Sequence, residues 1–495
     1  MGWAEDLPEQ DLAKMAPDAK HVRITAPSIV AAGEDFDLHL AAFRGDGYPD
    51  LDYQDTLSPA ETPEAMMGVP AAVSFSRDDE GVLRVAGVRL ERPGVYRVRM
   101  NVPRLGMEIV SNPIWCMAEP KERLYWGDIH VHSNLGNCHA HATKSPTFLY
   151  TFARNVAALD FASATDHVEH FDDTKWQASW DATARFNEPG RFTAFHAYEY
   201  TFLKTVGHAN VYFRSQPPRE LKDIYLGRKM GTLPEIWADL DAKLPGGRDD
   251  YMTVIHHPAW DGNSQLHGQS ETMDDYHMPA VEIYSKWGCS EYRGHPNGIW
   301  SGVADASVYV QDALAAGYRL GFIASSDDHN SAPGSEMGHT FPYSRNRCFY
   351  NHGGKTGIWS AANTRESLFD ALRQRRCFAS SFQRVILNFS VDSQPMGSIA
   401  NAQGDGPRHI EARIFGTDPV QQIELIRNNR VIDAVTMKQD FKNDDLLFEY
   451  RFDDSTPLDE VCLTPDTGQP FAFYYLRLRQ GDGTMAWASP VWLLG

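Results

Sequence analysis

The sequence predicts an α/β protein in three parts, a central region of repeated βα units flanked by N- and C-terminal antiparallel β-sandwich regions. Three observations carry this prediction. Short alternating apolar segments broken by turn residues fill the stretch from about His21 to Met117 and return from about Val385 to Leu494. Between them the rhythm changes to short apolar runs alternating with amphipathic helical segments, the pattern of βα units. Six apolar runs of this middle region also carry a histidine, aspartate or glutamate at or beside an end, which implies one shared site. The domain boundaries follow as 1–118, 119–385 and 386–495.

In the first region, Val22-Arg23-Ile24 and the run Gly94 to Met100 alternate with period two, and Gly33, Asp78-Asp79-Glu80-Gly81 and Pro93 punctuate them as turns. In the middle region, helical spacing predicts helices over Ser145 to Leu159, Leu233 to Leu244, Ser307 to Ala316 and Thr364 to Arg376. Ser145-Pro146 and Thr364-Arg365-Glu366 are chemically sound helix starts, because a hydroxyl caps an orphan amide and proline fits the first turn. In the last region, Ile423 to Ile426 and Phe473 to Leu478 are the clearest strands.

Composition narrows the classes of function. A chain of 495 residues, 42% hydrophobic and 23% charged, buries an ample core, which excludes a disordered or fibrous protein. Its net charge of −20 repels phosphate polymers and anionic bilayers, so the expected partner is a small-molecule substrate, not nucleic acid or membrane. Cysteines 116, 138, 289, 348, 377 and 462 have no paired spacing and fit reduced thiols. The first twenty residues are acidic and lack the apolar stretch of a secretory signal, and no apolar run reaches spanning length, so a cytoplasmic location is expected.

The chemistry concentrates at strand ends. In Gly127-Asp128-Ile129-His130-Val131-His132, strand alternation turns His130 and His132 to one side, within reach of one ion. Further along come Thr165-Asp166-His167, Glu199 inside Phe195 to Thr201, His208 before Ala209, His256-His257-Pro258, and Asp327-Asp328-His329 after Gly321 to Ser326. Each alone is weak, since a neutral imidazole tolerates partial burial. Together they supply the nitrogen and oxygen donors that zinc, manganese or iron accept.

The ordered series from His130 to His329 resembles the PHP (polymerase and histidinol phosphatase) superfamily of metal-dependent hydrolases. Segments including Glu199-Tyr200-Thr201, Glu282-Ile283-Tyr284-Ser285-Lys286, Ser290-Glu291 and Ser325-Ser326-Asp327-Asp328-His329 resemble a bacterial branch with accessory β-rich domains. The resemblance implies a distorted (β/α)7 barrel, TIM-barrel-like, with two or three divalent ions (Zn, Mn or Fe) at its carboxyl-terminal mouth. Carried onto matching positions, the implied ligands are His130, His132, His167, a bridging Glu199, His208, His257, Asp327 and His329. The acidic residue or histidine usual after the first pair is replaced here by Cys138, flanked by His139 and His141. Either Cys138 ligates as a thiolate, or one of these histidines substitutes, or the centre holds two ions.

The expected chemistry is hydrolysis by a metal-activated water, with Glu199 shared between ions. Lys286, Arg293 and the Arg345/Arg347 pair are the candidate cations for departing charge, and His170 the candidate general acid. Phosphoester hydrolysis of a small organic substrate leads; cleavage of a carboxylic ester, lactone or amide is the alternative, and a non-catalytic carbohydrate or protein binding module the second. The amidohydrolases also begin with two histidines after a first strand, but Asp327-Asp328-His329 favours the PHP resemblance. Trp126, Tyr198, Trp260, Tyr284 and Trp287 either line an organic pocket or pack. Arg373-Gln374-Arg375-Arg376 lies on an expected helix, where solvation is the ordinary explanation. Gly353-Gly354-Lys355-Thr356 lacks the upstream glycine of a P-loop and reads as a turn.

Overall fold

The computed structural model describes residues 19–45, 47–137, 144–202, 207–221, 232–260, 274–299, 302, 308–335, 352–402, 406–437, 447–465 and 468–495. In the N-terminal part, Ala19–Thr25, Asp35–Arg44, Val82–Leu90 and Met66–Met67 form one antiparallel sheet. Met107–Val110, Arg99–Val102, Asp55–Glu61 and Val73–Phe75 form a second. Leu38, Leu40 and Ala42 alternate inward along one strand and join Val88, Met100 and Val102 in a shared core.

The middle region corrects the expected architecture. Strand predominates over helix among the described residues, 44% to 18%, and no (β/α)7 or TIM-barrel-like pattern is evident. Local βα units do occur. Arg123–Val131, Phe161–Ala164 and Thr193–Ala194 pair in parallel, with helical turns 146–156 and the helix Asp173–Phe186 as their crossovers. Tyr251–Ile255, Ala280–Ser285 and Gly321–Ala324 are likewise parallel neighbours. Antiparallel pairs interrupt the series. Ala197–Phe202 and Gly207–Phe213 are separated by four residues, too few for the crossover of a dozen or so that a parallel pair needs, so they form a hairpin. Gly207–Phe213 then pairs antiparallel with Tyr251–Ile255.

The other break lies at the first histidine strand. Arg123–Val131 has Lys355–Ser360 as its antiparallel neighbour, and the sheet runs on through Cys377–Ser380, Met485–Ala488, Phe471–Gln480 and Val420–Arg427. An eleven-stranded sheet thus crosses residue 385. Tyr475, Trp487 and Trp492 pack in the same core as Tyr200, Trp237 and Val281.

Helices form at Pro146–Thr151, Leu233–Lys243, Val310–Ala316 and Arg365–Arg373. Ser145 and Thr364 cap as their chemistry demands, accepting from the amides of Phe148 and Ser367, each at 3.2 Å. The fourteen-residue helix Asp173–Phe186 was not among the expected elements; Asp172 caps it, and Trp176, Thr183 and Phe186 form its buried stripe. No helix among the described residues is long and apolar enough to cross a membrane.

Candidate metal centre

The parallel strand ends bring the donors together. His132 N–H donates to the Asp328 carbonyl and Asp327 N–H to the His130 carbonyl, each at 2.8 Å, which clamps the end of Arg123–Val131 beside the segment after Gly321–Ala324. Glu199 N–H donates to the Asp166 carbonyl at 3.1 Å, setting the hairpin strand Ala197–Phe202 alongside His167. Within the hairpin, Thr201 faces His208 and Glu199 faces Asn210, so alternation turns Glu199 and His208 toward one interior.

Glu199 lies at the middle. Its Oε2 is 3.2 Å from Nε2 of both His130 and His132. Its Oε1 faces a different set, with His256 Nε2 at 3.3 Å, His167 Nε2 at 3.7 Å and His208 Nδ1 in direct contact. Asp327 Oδ1 is 3.1 Å from His132 Nε2, 3.3 Å from His130 Nε2 and 3.7 Å from His329 Nδ1; its Oδ2 is 3.7 Å from His257 Nδ1. Three overlapping triads result, His130/His132/Glu199, His132/Asp327/His329 and His167/Glu199/His208, each with donor atoms within 4.8 Å of one another.

Electrostatics reflect this crowding. Burial acts to raise the Glu199 and Asp327 carboxyls, yet the facing imidazoles outweigh it and hold both well below the ordinary range. Burial acts to lower His130, but Asp327 and Glu282 push it well above its usual value; His167, likewise buried, is raised to about 9, chiefly by Glu199. Burial and His130 together lower His256 to about 4, and burial with His256 holds His257 well below its usual value. Two members sit in uncommon backbone geometry: Asp327 at φ 51° and His257 at φ 31°. Such strain persists where surrounding structure enforces it, and it clusters at functional sites.

A supporting shell fixes the donors. Glu282, buried on Ala280–Ser285, accepts from His130 Nδ1 at 3.0 Å and thereby aims Nε2 into the cage. Asp166 accepts from the amides of Ser133 and Gly136 at 2.7 and 3.0 Å, pinning the turn after His132. Asp128 accepts from the amides of Ser326 and Gly334 at 3.0 and 2.8 Å, and so ties the first histidine strand to the Asp327 segment.

His130, His132, His167, Glu199, His208, His257, Asp327 and His329 therefore meet in one cage. Cys138, His139, His141, Arg345 and Arg347 lie outside the described residues. Lys286 is buried and donates to Asp328 Oδ1 at 2.6 Å in an internal ion pair. His170 is exposed at the rim, its ring centroid 6.1 Å from that of His167. Arg293 is exposed and its charge acts on Tyr309. Arg375 and Arg376 are not simply solvated: Arg375 is buried and donates to the Arg319 carbonyl at 2.6 Å, and Arg376 bonds Glu122. Lys355 opens a strand and donates to the Phe382 carbonyl, so no phosphate loop exists there.

His256, Glu282, Asp128 and Asp166 extend the predicted set. The signals that could have found them are the single carboxylate of Glu282 within the apolar run Ala280 to Ser285 and the place of His256 beside His257. Among the aromatic candidates, Trp126 is buried away from the cage and donates to Ser28. Trp260 and Trp287 stand against His257, with centroids at 5.6 and 5.2 Å.

The family described as "Protein of unknown function (DUF3604)" matches residues 139–260 and 308–394, which contain His167, Glu199, His208, His257, Asp327 and His329 and begin after His130 and His132. An "Uncharacterized protein" of Chlamydia trachomatis serovar D is 29% identical over 493 residues, 96% of this chain and 74% of its own. One from Chlamydia muridarum is 28% identical with the same coverage. A third, from Chlamydia pneumoniae, is 27% identical over 435 residues, 84% of this chain and 64% of its own. These descriptions name no activity.

Proposed function

We propose that the cage holds two or three divalent cations (Zn, Mn or Fe) and that the chain is a metal-dependent hydrolase. The observation that carries this reading is Glu199, whose two oxygens face two different sets of imidazoles in a buried space. The donor spacing supports this reading, apart from the closer contact of His208 with Glu199. Four ligands arranged tetrahedrally at zinc bond lengths stand roughly 3.3 Å apart, and the donor separations of 3.1 to 3.7 Å around Glu199 and Asp327 fall about that value. His257 Nδ1 is buried without a hydrogen-bond partner among the described residues, a costly arrangement unless a ligand-sized cation takes its lone pair. The order of donors along the chain also resembles the PHP ligand series, here on a different sheet arrangement.

Bound divalent ions would supply Lewis acidity and a water of near-neutral pKa. The chain's own residues do the rest. Glu199 and Asp327 hold neighbouring cation positions and, being acceptors only, stay ionised. Glu282 fixes the His130 tautomer so that Nε2 points inward. His170, at the solvent edge, is placed to give a proton to a leaving group.

Phosphoester cleavage is the first reading, because adjacent cations can steady both the attacking and departing oxygens. Cleavage of a carboxylic ester, lactone or amide is the second. It is favoured by a specific observation: no arginine among the described residues bonds Glu199, Asp327 or Glu282, and Lys286 is held by Asp328. Elemental analysis of the purified chain, coupled to a hydrolase panel, tests the proposal. Glu199→Gln, Asp327→Asn and His257→Ala should each lose metal and turnover; variants that keep both place the chemistry elsewhere. Inhibition by inorganic phosphate with phosphate release marks the first reading, and phosphate-insensitive ester cleavage the second.

A further inference from the structure

Exposure is uneven around the cage. His130 and His132 side chains are 0% and 1% exposed, whereas His208 and Glu169 are 20% and 19% exposed, so a ligand reaches the centre from the His208 and Glu169 side. Trp260 stands on that side, its ring centroid 6.1 Å from His208 and 5.6 Å from His257. Trp287 lies 5.9 Å from Trp260 with planes at 59°, and is tilted 30° to the His257 ring. The two indoles make an apolar corner beside charged donors.

The corner is not a closed piece of core. Both tryptophans are only partly buried, packing against Ile299 and Tyr309 behind them. Trp260 Nε1 is buried with no hydrogen-bond partner among the described residues, and Oε2 of Glu169, which meets His167 through Oε1, is in the same condition. Leaving such a donor unmet is costly, so an acceptor belongs next to the indole N–H.

We propose that Trp260 and Trp287 form a ring-binding subsite at the rim of the cage and that its ligand is an uncharged pyranose. A pyranose presents a flat face of C–H groups to an indole, and its hydroxyls both accept, as Trp260 Nε1 requires, and donate, as Glu169 Oε2 requires. A plain aryl ring satisfies neither polar atom. A charged acid group on the ring itself would meet a carboxylate at the rim. The ring contact stands by itself; only the placement of a cleavable bond over the cage rests on the hydrolase reading.

Saturation-transfer NMR on the metal-loaded full chain tests this with methyl β-D-glucopyranoside and methyl β-D-galactopyranoside, against sorbitol as the open-chain control and phenol as the aryl control. At least one pyranoside should receive saturation and sorbitol none. Trp287→Ala should weaken that pyranoside roughly tenfold by removing a ring face. Trp260→Phe, which keeps a ring but loses the N–H, should weaken it about fivefold. If Trp287→Ala does not fold, Trp287→Phe and Trp260→Phe decide, with melting and metal content as controls. Absence of pyranoside saturation, unchanged affinity in the folded variants, or phenol binding above both pyranosides overturns the proposal. Glu199→Gln separates the two readings. Pyranoside binding retained there, with metal and turnover gone, supports both. A wild-type chain that holds no metal yet binds the ring overturns the hydrolase reading alone, and one that turns over esters but ignores every ring overturns the subsite alone.

Discussion

At the scale of single residues, the cage depends on groups that touch no expected cation position. Glu282 is the clearest. Its hydrogen bond to His130 Nδ1 decides which ring nitrogen faces Glu199, and its own carboxyl is pushed up by burial despite His130. Glu282→Gln keeps the shape and loses the charge, and should weaken metal binding about 10- to 100-fold while leaving the fold intact, as read by metal titration beside circular dichroism. Unchanged affinity would mean His130 is oriented by packing alone. Legibility differed by residue type. His130, His132, Glu199 and Asp327 stood out because polar groups at the ends of apolar runs have few uses besides a shared site. Glu282 did not, because its partner is 152 positions away. The ion pair of Lys286 was likewise hidden: Asp328, 42 positions along, lies 2.6 Å from it.

At the scale of elements, the first histidine strand shows how a motif serves geometry. Gly127 opens Gly127-Asp128-Ile129-His130-Val131-His132, and a Cβ there would fall 2.2 Å from the Phe161 ring on the neighbouring parallel strand. Glycine is required by close approach, not by its φ. Gly127→Ala should destabilise the chain by about 1–3 kcal/mol through overpacking and displace the strand that carries His130 and His132. A lowered melting temperature together with reduced metal content is the expected pair of readings, and wild-type values for both would refute the argument. Helix starts at Ser145 and Thr364 were legible because capping is local chemistry. The helix Asp173–Phe186 was equally marked, by Asp172 and the spacing of Trp176, Thr183 and Phe186, but polar residues between them mask the stripe. The hairpin of Ala197–Phe202 and Gly207–Phe213 was hidden for a different reason: apolar alternation does not reveal which way a neighbouring strand runs.

At the scale of the whole molecule, the middle and last regions share a sheet and a core. Phe378 pairs with Ala488 and Ser380 with Ala486, and Trp487 donates to Glu291 Oε2 at 2.8 Å from the far side of residue 385. A chain ending at 385 would expose the edge of Cys377–Ser380 and strip aromatic residues from the core around Tyr284. It should therefore be recovered insoluble or without a cooperative melting transition; a monomeric 1–385 chain that melts cooperatively and binds metal would show that the shared sheet is dispensable. The sequence by itself determined the local features: where strands and capped helices begin, and which side chains have the chemistry for a cation site. These follow from periodicity, capping and donor type, which act within a few residues. The tertiary structure decided strand direction, the mixed sheets in place of a closed parallel barrel, and the partners that turn Glu282 and Lys286 into supports. Those outcomes depend on which segments pair, 42 residues apart for Lys286 with Asp328 and 152 for Glu282 with His130, and no pattern within one segment encodes its partner.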